Sequence, residues 1–337
     1  MIESSLRDPI ATLPDPTETQ HFWRTKHVVV TGGAGCLGSA IVRKLRERPA
    51  GAVTAPRSQH CDLRRDDHLS TLLDHVLSTA APADVLVIHA AARVGGIGAN
   101  LRQPATFFYD NLLMGTKLLH EAWRRGIGKF VGIGTVCAYP KLAPVPFREV
   151  DLWNGYPEET NAPYGLAKKM LLVQGQAYRA QYGFHAIFLL PTNLYGPGDN
   201  LDVEDSHVIP ALIRKCVEAR RRQQPAIVAW GTGAPTRDYL FVDDAAEGIL
   251  LAAEGYDGAD PVNLSGDSAE MSMRELLALI CRLTGYDGDV VWDATRPDGQ
   301  PRRKVDGQRA RELFGFQPRA GLEEGLRRTV AWFERHH

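Results

Sequence analysis

Apolar residues recur along this chain in two forms, short unbroken runs and longer stripes at helical spacing. His27 to Thr31 is a β-branched run that reads as a buried strand. Leu37, Ile41, Val42 and Leu45 then share one face of a helix. Ala52 to Ala55, Val85 to Ala92, Phe130 to Gly134 and Ala186 to Leu190 read as further strands, and Thr106 to Arg125 and Tyr164 to Tyr182 as long helices. The second long helix carries Leu166, Met170, Val173 and Ala177 as its stripe, with Asn161 placed to cap it, Pro163 near its first turn and Gly183 to end it. Strand and helix alternate from residue 27 to residue 190, which predicts an α/β fold of the Rossmann type. Such a doubly wound parallel sheet binds ligands at the carboxyl ends of its strands.

Past Pro191 the pattern changes. Thr192 to Asp205 is rich in Gly, Pro, Asn and Asp and reads as a long loop near the site. A helix opens at Ser206 and runs to about Arg222, Ala226 to Trp230 is a strand, and Ala245 to about Glu254 is a helix. Short strands, one clear helix (Ser272 to Thr284) and the Pro/Gly/Arg-rich segment from Arg296 to Lys304 follow. The division expected is an N-terminal arm over 1–24 and an NAD(P)-binding domain over 25–192, to which 240–262 returns. A smaller mixed α/β substrate-binding domain then comprises 193–239 and 263–337.

Composition narrows this picture without redirecting it. A chain of 337 residues can bury a sizeable core, and a net charge of −1 gives no global pull toward nucleic acid or an anionic membrane. No apolar run approaches a membrane span, and residues 1–20 lack the basic-then-apolar order of a signal peptide. The five cysteines are scattered, odd in number and without metal-ligand spacing. The expectation is therefore a cytoplasmic protein with no structural disulfide and no metal.

The candidate chemistry begins in the loop after the first strand. Gly32, Gly35 and Gly38 are spaced G-x-x-G-x-x-G between strand and helix, the context a dinucleotide-binding turn requires. Gly32, Gly35, Cys36, Leu37 and Gly38 would bring a pyrophosphate to the helix N-terminus, where free N–H groups and the helix dipole favour an anion. No acidic residue ends the second strand to take the ribose hydroxyls of NAD; Arg57 stands there instead and suits a 2′-phosphate, favouring NADP over NAD. Asp62 and Leu63 fall where the adenine edge would lie, and the small residues Ala91 and Ala92 where the chain passes the cofactor's ribose and nicotinamide. Tyr164 and Lys168 share a helix face, a spacing in which the lysine is expected to favour the phenolate. Thr135 at another strand end could hydrogen-bond a carbonyl oxygen. A lone Tyr-x-x-x-Lys arises often by chance; its company here points to hydride transfer at a carbon that bears oxygen.

Together the glycine loop, the strand-end hydroxyl and Tyr164/Lys168 resemble the extended short-chain dehydrogenase/reductase superfamily. Ala92-Arg93-Val94-Gly95-Gly96-Ile97, Cys137-Ala138-Tyr139-Pro140-Lys141, Pro191-Thr192-Asn193-Leu194-Tyr195-Gly196-Pro197, Ser206-His207-Val208-Ile209-Pro210 and Pro297-Asp298-Gly299-Gln300-Pro301-Arg302 are similar to the GDP-L-fucose synthase family. That resemblance implies an NADPH-dependent 3,5-epimerase-4-reductase of GDP-4-keto-6-deoxy-D-mannose, with a related epimerase or reductase of another nucleotide-activated deoxysugar as the alternative. It implies Cys137 and His207 as the base and acid of epimerisation, and Tyr164 beside Lys168 as the proton donor of reduction. It adds Lys168, Pro191, Asn193, Leu194 and His207 to the cofactor contacts, and Asn193, Lys215, Trp230 and Arg237 to those of the sugar nucleotide. It also implies a homodimer through the two long helices. The chain departs from the family pattern in carrying Thr135 for serine, Ala34 for an arginine that helps hold the 2′-phosphate, and Val136 and Ala138 around the cysteine.

Overall fold

The computed structural model describes residues 21–202, 206–267 and 269–337; residues 1–20 of the expected arm and 203–205 of the expected loop lie outside the described residues. Apolar runs become the strands of one parallel sheet: β1 (His27–Thr31), β2 (Ala52–Thr54), β3 (Val85–His89), β4 (Lys129–Ile133) and β5 (Ala186–Pro191). Nearly every residue in β1, β3, β4 and β5 is buried, because helices cover both faces. Those helices are α1 (Cys36–Glu47), α2 (Asp66–Leu77), α3 (Pro104–Arg124) and α4 (Ala162–Tyr182). Helix α5 (Val208–Arg221) lies outside the sheet layers; α6 (Val242–Gly255) packs against α1, and β6 (Val262–Leu264) joins β5 to complete the sheet. The strand order is β6-β5-β4-β3-β1-β2. The winding direction reverses between β1 and β3, and ligands of such sheets bind outside that switch point.

A separate apolar cluster holds the rest. Ile209, Ile213 and Val217 of α5 pack with Ile227, Leu276, Ile280, Leu326 and Phe333. A parallel pair formed by 226–230 and 289–293 lies there, with a three-stranded sheet in which 236–237 pairs with 271–272 on one side and 302–303 on the other.

Three local readings change. The stretch read as a loop after Pro191 contains a strand, Asn193–Tyr195, because Tyr239–Phe241 offers it a parallel partner far away in the chain. Asn161 occupies the cap position of α4 but does not cap it. Its backbone (φ −111°, ψ −4°) is not the extended conformation capping needs, and its amide donates to Glu158 Oε2 at 3.0 Å instead. Trp23, in the expected arm, is fully buried against the sheet's core and donates its indole N–H to Glu254 at 3.2 Å.

Candidate active site

One cavity of about 970 Å³ opens at the carboxyl ends of the strands and is lined by every candidate catalytic, cofactor-binding and substrate-binding residue, from Gly32 to Arg237. At its cofactor end the chain turns at Gly32 with φ +72°. A Cβ there would lie 2.7 Å from the backbone of Ala91, so the glycine lets the loop after β1 touch the segment after β3, which carries Ala91 and Ala92. Gly35 precedes α1 without side-chain capping, and the first turn holds no acid. The amides at Cys36, Leu37 and Gly38 are left for an external anion.

Farther along, two arginines divide the charge. Arg64 pairs with Asp62 at 2.8 Å and with the buried Asp110 at 2.9 Å, so it is already neutralised. Hydrogen bonds from Arg64 hold the Asp62 carboxyl down at about 2. Asp62 therefore reaches the cavity as an engaged carboxylate, not as a free acceptor. Arg57 is exposed on the cavity wall, and no carboxylate pairs with it among the described residues. The glycine cradle, the uncapped helix end and an unpaired Arg57 beside exposed Ala34 suit a dinucleotide carrying a 2′-phosphate.

The chemical end is built around the turn after β4. Thr135 accepts a hydrogen bond from the Cys137 amide at 3.2 Å, capping the short turn 136–138, and it also hydrogen-bonds Tyr164. Helix α4 lies directly against this turn: a Cβ on Gly165 would stand 2.4 Å from the Cys137 carbonyl oxygen. Glycine at 165 thus brings Tyr164 beside Thr135 and Cys137.

Tyr164 moves in the direction opposite to the one its spacing from Lys168 led to expect. Withdrawal from water pushes the Tyr164 phenol up, the neighbouring Cys137 adds to this, and the Thr135 hydrogen bond offsets only part of it. Lys168 is itself buried and brought down to about 8 by burial alone. Both groups lose hydration, and burial opposes the charged form of each. Tyr164 therefore holds its proton, as a general acid must. His207, at the start of α5, lies 3.5 Å from Asp199 through Nδ1. Burial opposes its charge, but the hydrogen bond and negative charge of Asp199 outweigh burial and raise the imidazole above its ordinary value.

At the far end Trp230 is 49% exposed, with the Arg296 guanidinium 4.9 Å from its ring centre. Lys215 donates to the Val228 carbonyl at 2.8 Å. Arg237 is buried and brought down to about 10 by burial and by a second guanidinium, Arg303. Asn193 donates to the Asp238 carbonyl at 2.8 Å, leaving its amide oxygen turned to Arg303. Sequence reasoning missed Arg303, Gln300 and Asp199. Asp199 and Gln300 lie inside or next to segments already singled out, and Arg303 immediately follows one of them.

The fold and this site define a dinucleotide-dependent oxidoreductase and epimerase, and the chain belongs to the NAD dependent epimerase/dehydratase family, whose model matches residues 28–265. Within it the chain is 40% identical over 310 residues to GDP-L-fucose synthase 1 of Arabidopsis thaliana, covering 92% of this chain and 94% of that one. It is 38% identical over 319 residues to GDP-L-fucose synthase of Escherichia coli (strain K12), covering 91% and 96%. Among solved structures, a GDP-L-fucose synthetase from Naegleria fowleri bound to NADP superimposes with a TM-score of 0.81 at 28% identity, over 92% of this chain and 94% of that one.

Proposed function

We propose that this chain converts GDP-4-keto-6-deoxy-D-mannose to GDP-L-fucose with NADPH, inverting C3 and C5 and then reducing C4. Similarity to GDP-L-fucose synthases along nearly the whole chain supports the substrate class. The observation that carries the reaction is the make-up of the site: the Cys137 thiol, the Tyr164 phenol and the His207 imidazole, raised above its ordinary value by Asp199, line one cavity.

The C4 ketone acidifies the protons on both neighbouring carbons. Thr135 and Tyr164 hydrogen-bond the ketone oxygen and stabilise the enolate as charge moves onto it. Cys137 removes the proton from one face, and His207, raised by Asp199, returns one to the other. Bound NADPH supplies the hydride for C4. Tyr164 delivers its proton to the C4 oxygen, and Lys168 sits on the same face of α4 one turn later. Arg237, Lys215, Trp230 and Asn193 line the region for the sugar nucleotide, with Arg237 facing its diphosphate and Trp230 packing on the sugar or base. Gly32, Gly35, Cys36, Leu37, Gly38, Arg57, Ala91, Ala92, Pro191 and Leu194 line the cofactor region.

The protein is proposed to act as a cytoplasmic homodimer. No helix of the described residues is long and apolar enough to cross a membrane. Helices α3 and α4 leave Phe108, Tyr109, Val173 and Tyr182 exposed, an apolar surface suited to a second copy. Incubated with GDP-4-keto-6-deoxy-D-mannose, the protein is expected to oxidise NADPH and yield GDP-L-fucose by mass spectrometry and NMR. The same preparation is expected to sediment at twice the chain mass. No NADPH oxidation on this substrate, with turnover of another GDP-, dTDP- or UDP-sugar, would move the assignment to that sugar; a monomer would remove the dimer.

Asp199→Asn tests how His207 is charged. Because Asp199 raises His207, the acid form persists to higher pH in the wild type and is lost as pH rises through the raised value. Removing the carboxylate lowers that value, so solvent deuterium incorporation should decline from a lower pH in the variant. An alkaline limb that stays in place would show that Asp199 does not set the charge.

A further inference from the structure

We propose that Arg303 is the positioning residue for Cys137: its guanidinium holds the sulfur in place and balances the negative charge the sulfur bears before it takes a substrate proton. This rests on Cys137 being the base of the proposed reaction. In that step the thiolate forms an S–H bond, the substrate C–H bond breaks, and its electron pair moves to the carbonyl oxygen.

The placement of Arg303 follows from strand geometry. Residues 302–303 pair in parallel with 236–237, in the register Arg302 with Thr236 and Arg303 with Arg237. Side chains alternate across a strand, so the tandem arginines part. Arg302 joins Thr236 on the outer face, where both bind the carboxylate of Glu270. Arg303 joins Arg237 on the cavity face, where both are buried. Among the described residues neither of these two guanidinium groups is paired with a carboxylate in an ion pair. The cavity face therefore presents two buried positive charges that call for anions.

Their surroundings assign the two anions. Arg303 Nη1 lies 3.5 Å from Cys137 Sγ and 3.4 Å from Asn193 Oδ1. Its Nε donates to Gln300 Oε1 at 3.2 Å. Gln300 is buried and in turn donates to the carbonyls of Lys141 at 3.0 Å and Pro140 at 3.4 Å, just past the cysteine turn. The guanidinium is thus fixed on one edge by an amide tied to the cysteine's own loop, and its other edge is aimed at the sulfur. Among the described residues Arg237 donates to the Thr236 carbonyl beside it, leaving most of its donors for the diphosphate of a nucleotide sugar. The other titratable groups around the sulfur are Tyr164 from α4 and Arg237, with Glu158 and Tyr239 beside Arg237. Arg303 is the group among them that makes a direct hydrogen bond to the thiol.

The test is alkylation of Cys137 by iodoacetamide across pH, read by peptide mass spectrometry so that Cys36, Cys61 and Cys281 are followed separately. Arg303→Gln is expected to slow Cys137 alkylation about tenfold, with Arg303→Lys recovering most of the rate. Cys36 and Cys61 should react as in the wild type, which reports an intact fold. Deuterium incorporation from solvent should fall about tenfold with kcat, with little change in KM. An unchanged alkylation profile in folded Arg303→Gln overturns the proposal. Should that variant not fold, Gln300→Met releases the Nε edge; it is expected to slow alkylation in the same direction by a smaller factor, and wild-type behaviour there overturns the proposal equally. Alkylation needs no turnover, so a wild-type protein that shows the expected thiol chemistry yet incorporates no deuterium contradicts the reaction and not the pairing.

Discussion

Tyr164→Phe is expected to slow NADPH-dependent reduction about 10³-fold, which is about 4 kcal/mol on the barrier, while cofactor binding stays near wild type. The ring's packing survives: its edge contact with Phe107, at 6.5 Å between centres and 83° between planes, needs no hydroxyl. What disappears is the one proton-loaded donor beside Thr135. Thr135 still has a ligand in the Cys137 amide, so the turn after β4 should hold. The wild type also constrains the pH dependence. Burial and Cys137 push the phenol upward, so the proton-bearing form dominates through and above neutrality, and reduction should not rise with pH through that range on account of Tyr164. A phenolate-driven site would show such a rise. The measurement is single-turnover NADPH oxidation at saturating substrate in both proteins. Undiminished oxidation in Tyr164→Phe would remove the tyrosine from the proton-donating role and leave Lys168, held down at about 8, to be examined as the donor.

That reversal shows where sequence reasoning stopped. The spacing of Tyr164 and Lys168 establishes a shared helix face, but it carries no information on hydration, and hydration decides the direction in which each group moves. The doubly wound sheet was legible because its central strands are buried on both faces and so appear as unbroken apolar runs. The small sheet over the cavity was not, since pairs such as 236–237 and 302–303 are too short to show any period. Residues bound to a local motif, such as the glycine loop and the Tyr164/Lys168 pair, were found because their chemistry requires neighbours close in the chain. Arg303 and Cys137 are separated by 166 residues, and nothing local distinguishes Arg303 from Arg302. Only the register with Thr236 and Arg237 tells which arginine faces solvent and which faces the sulfur.

The second large effect is expected at Cys137. Cys137→Ser should depress deuterium incorporation from solvent at C3 and C5 by about 10³-fold, while hydride delivery to C4 continues. Serine matches the cysteine in shape, keeps the backbone amide that Thr135 binds, and leaves Gly165 its approach to the 137 carbonyl. It does not provide a proton acceptor near neutral pH, because a hydroxyl holds its proton far more tightly than a thiol. Tyr164 loses the upward push from Cys137 but is still raised by burial, and Lys168 and the cofactor cradle are untouched. The ketone should then be reduced before either neighbouring carbon has inverted, giving a GDP-6-deoxyhexose with C3 and C5 in their starting configuration. Product configuration by NMR and wash-in by mass spectrometry separate the outcomes. Wash-in at the wild-type rate would pass the role of base to another group in the cavity. Loss of both wash-in and reduction in a protein that still binds NADPH would mean that the thiol positions the ketone itself. Uninverted reduction, the expected result, would place epimerisation and hydride transfer on different residues of one turn-and-helix unit, with Cys137 serving the first and Tyr164 the second.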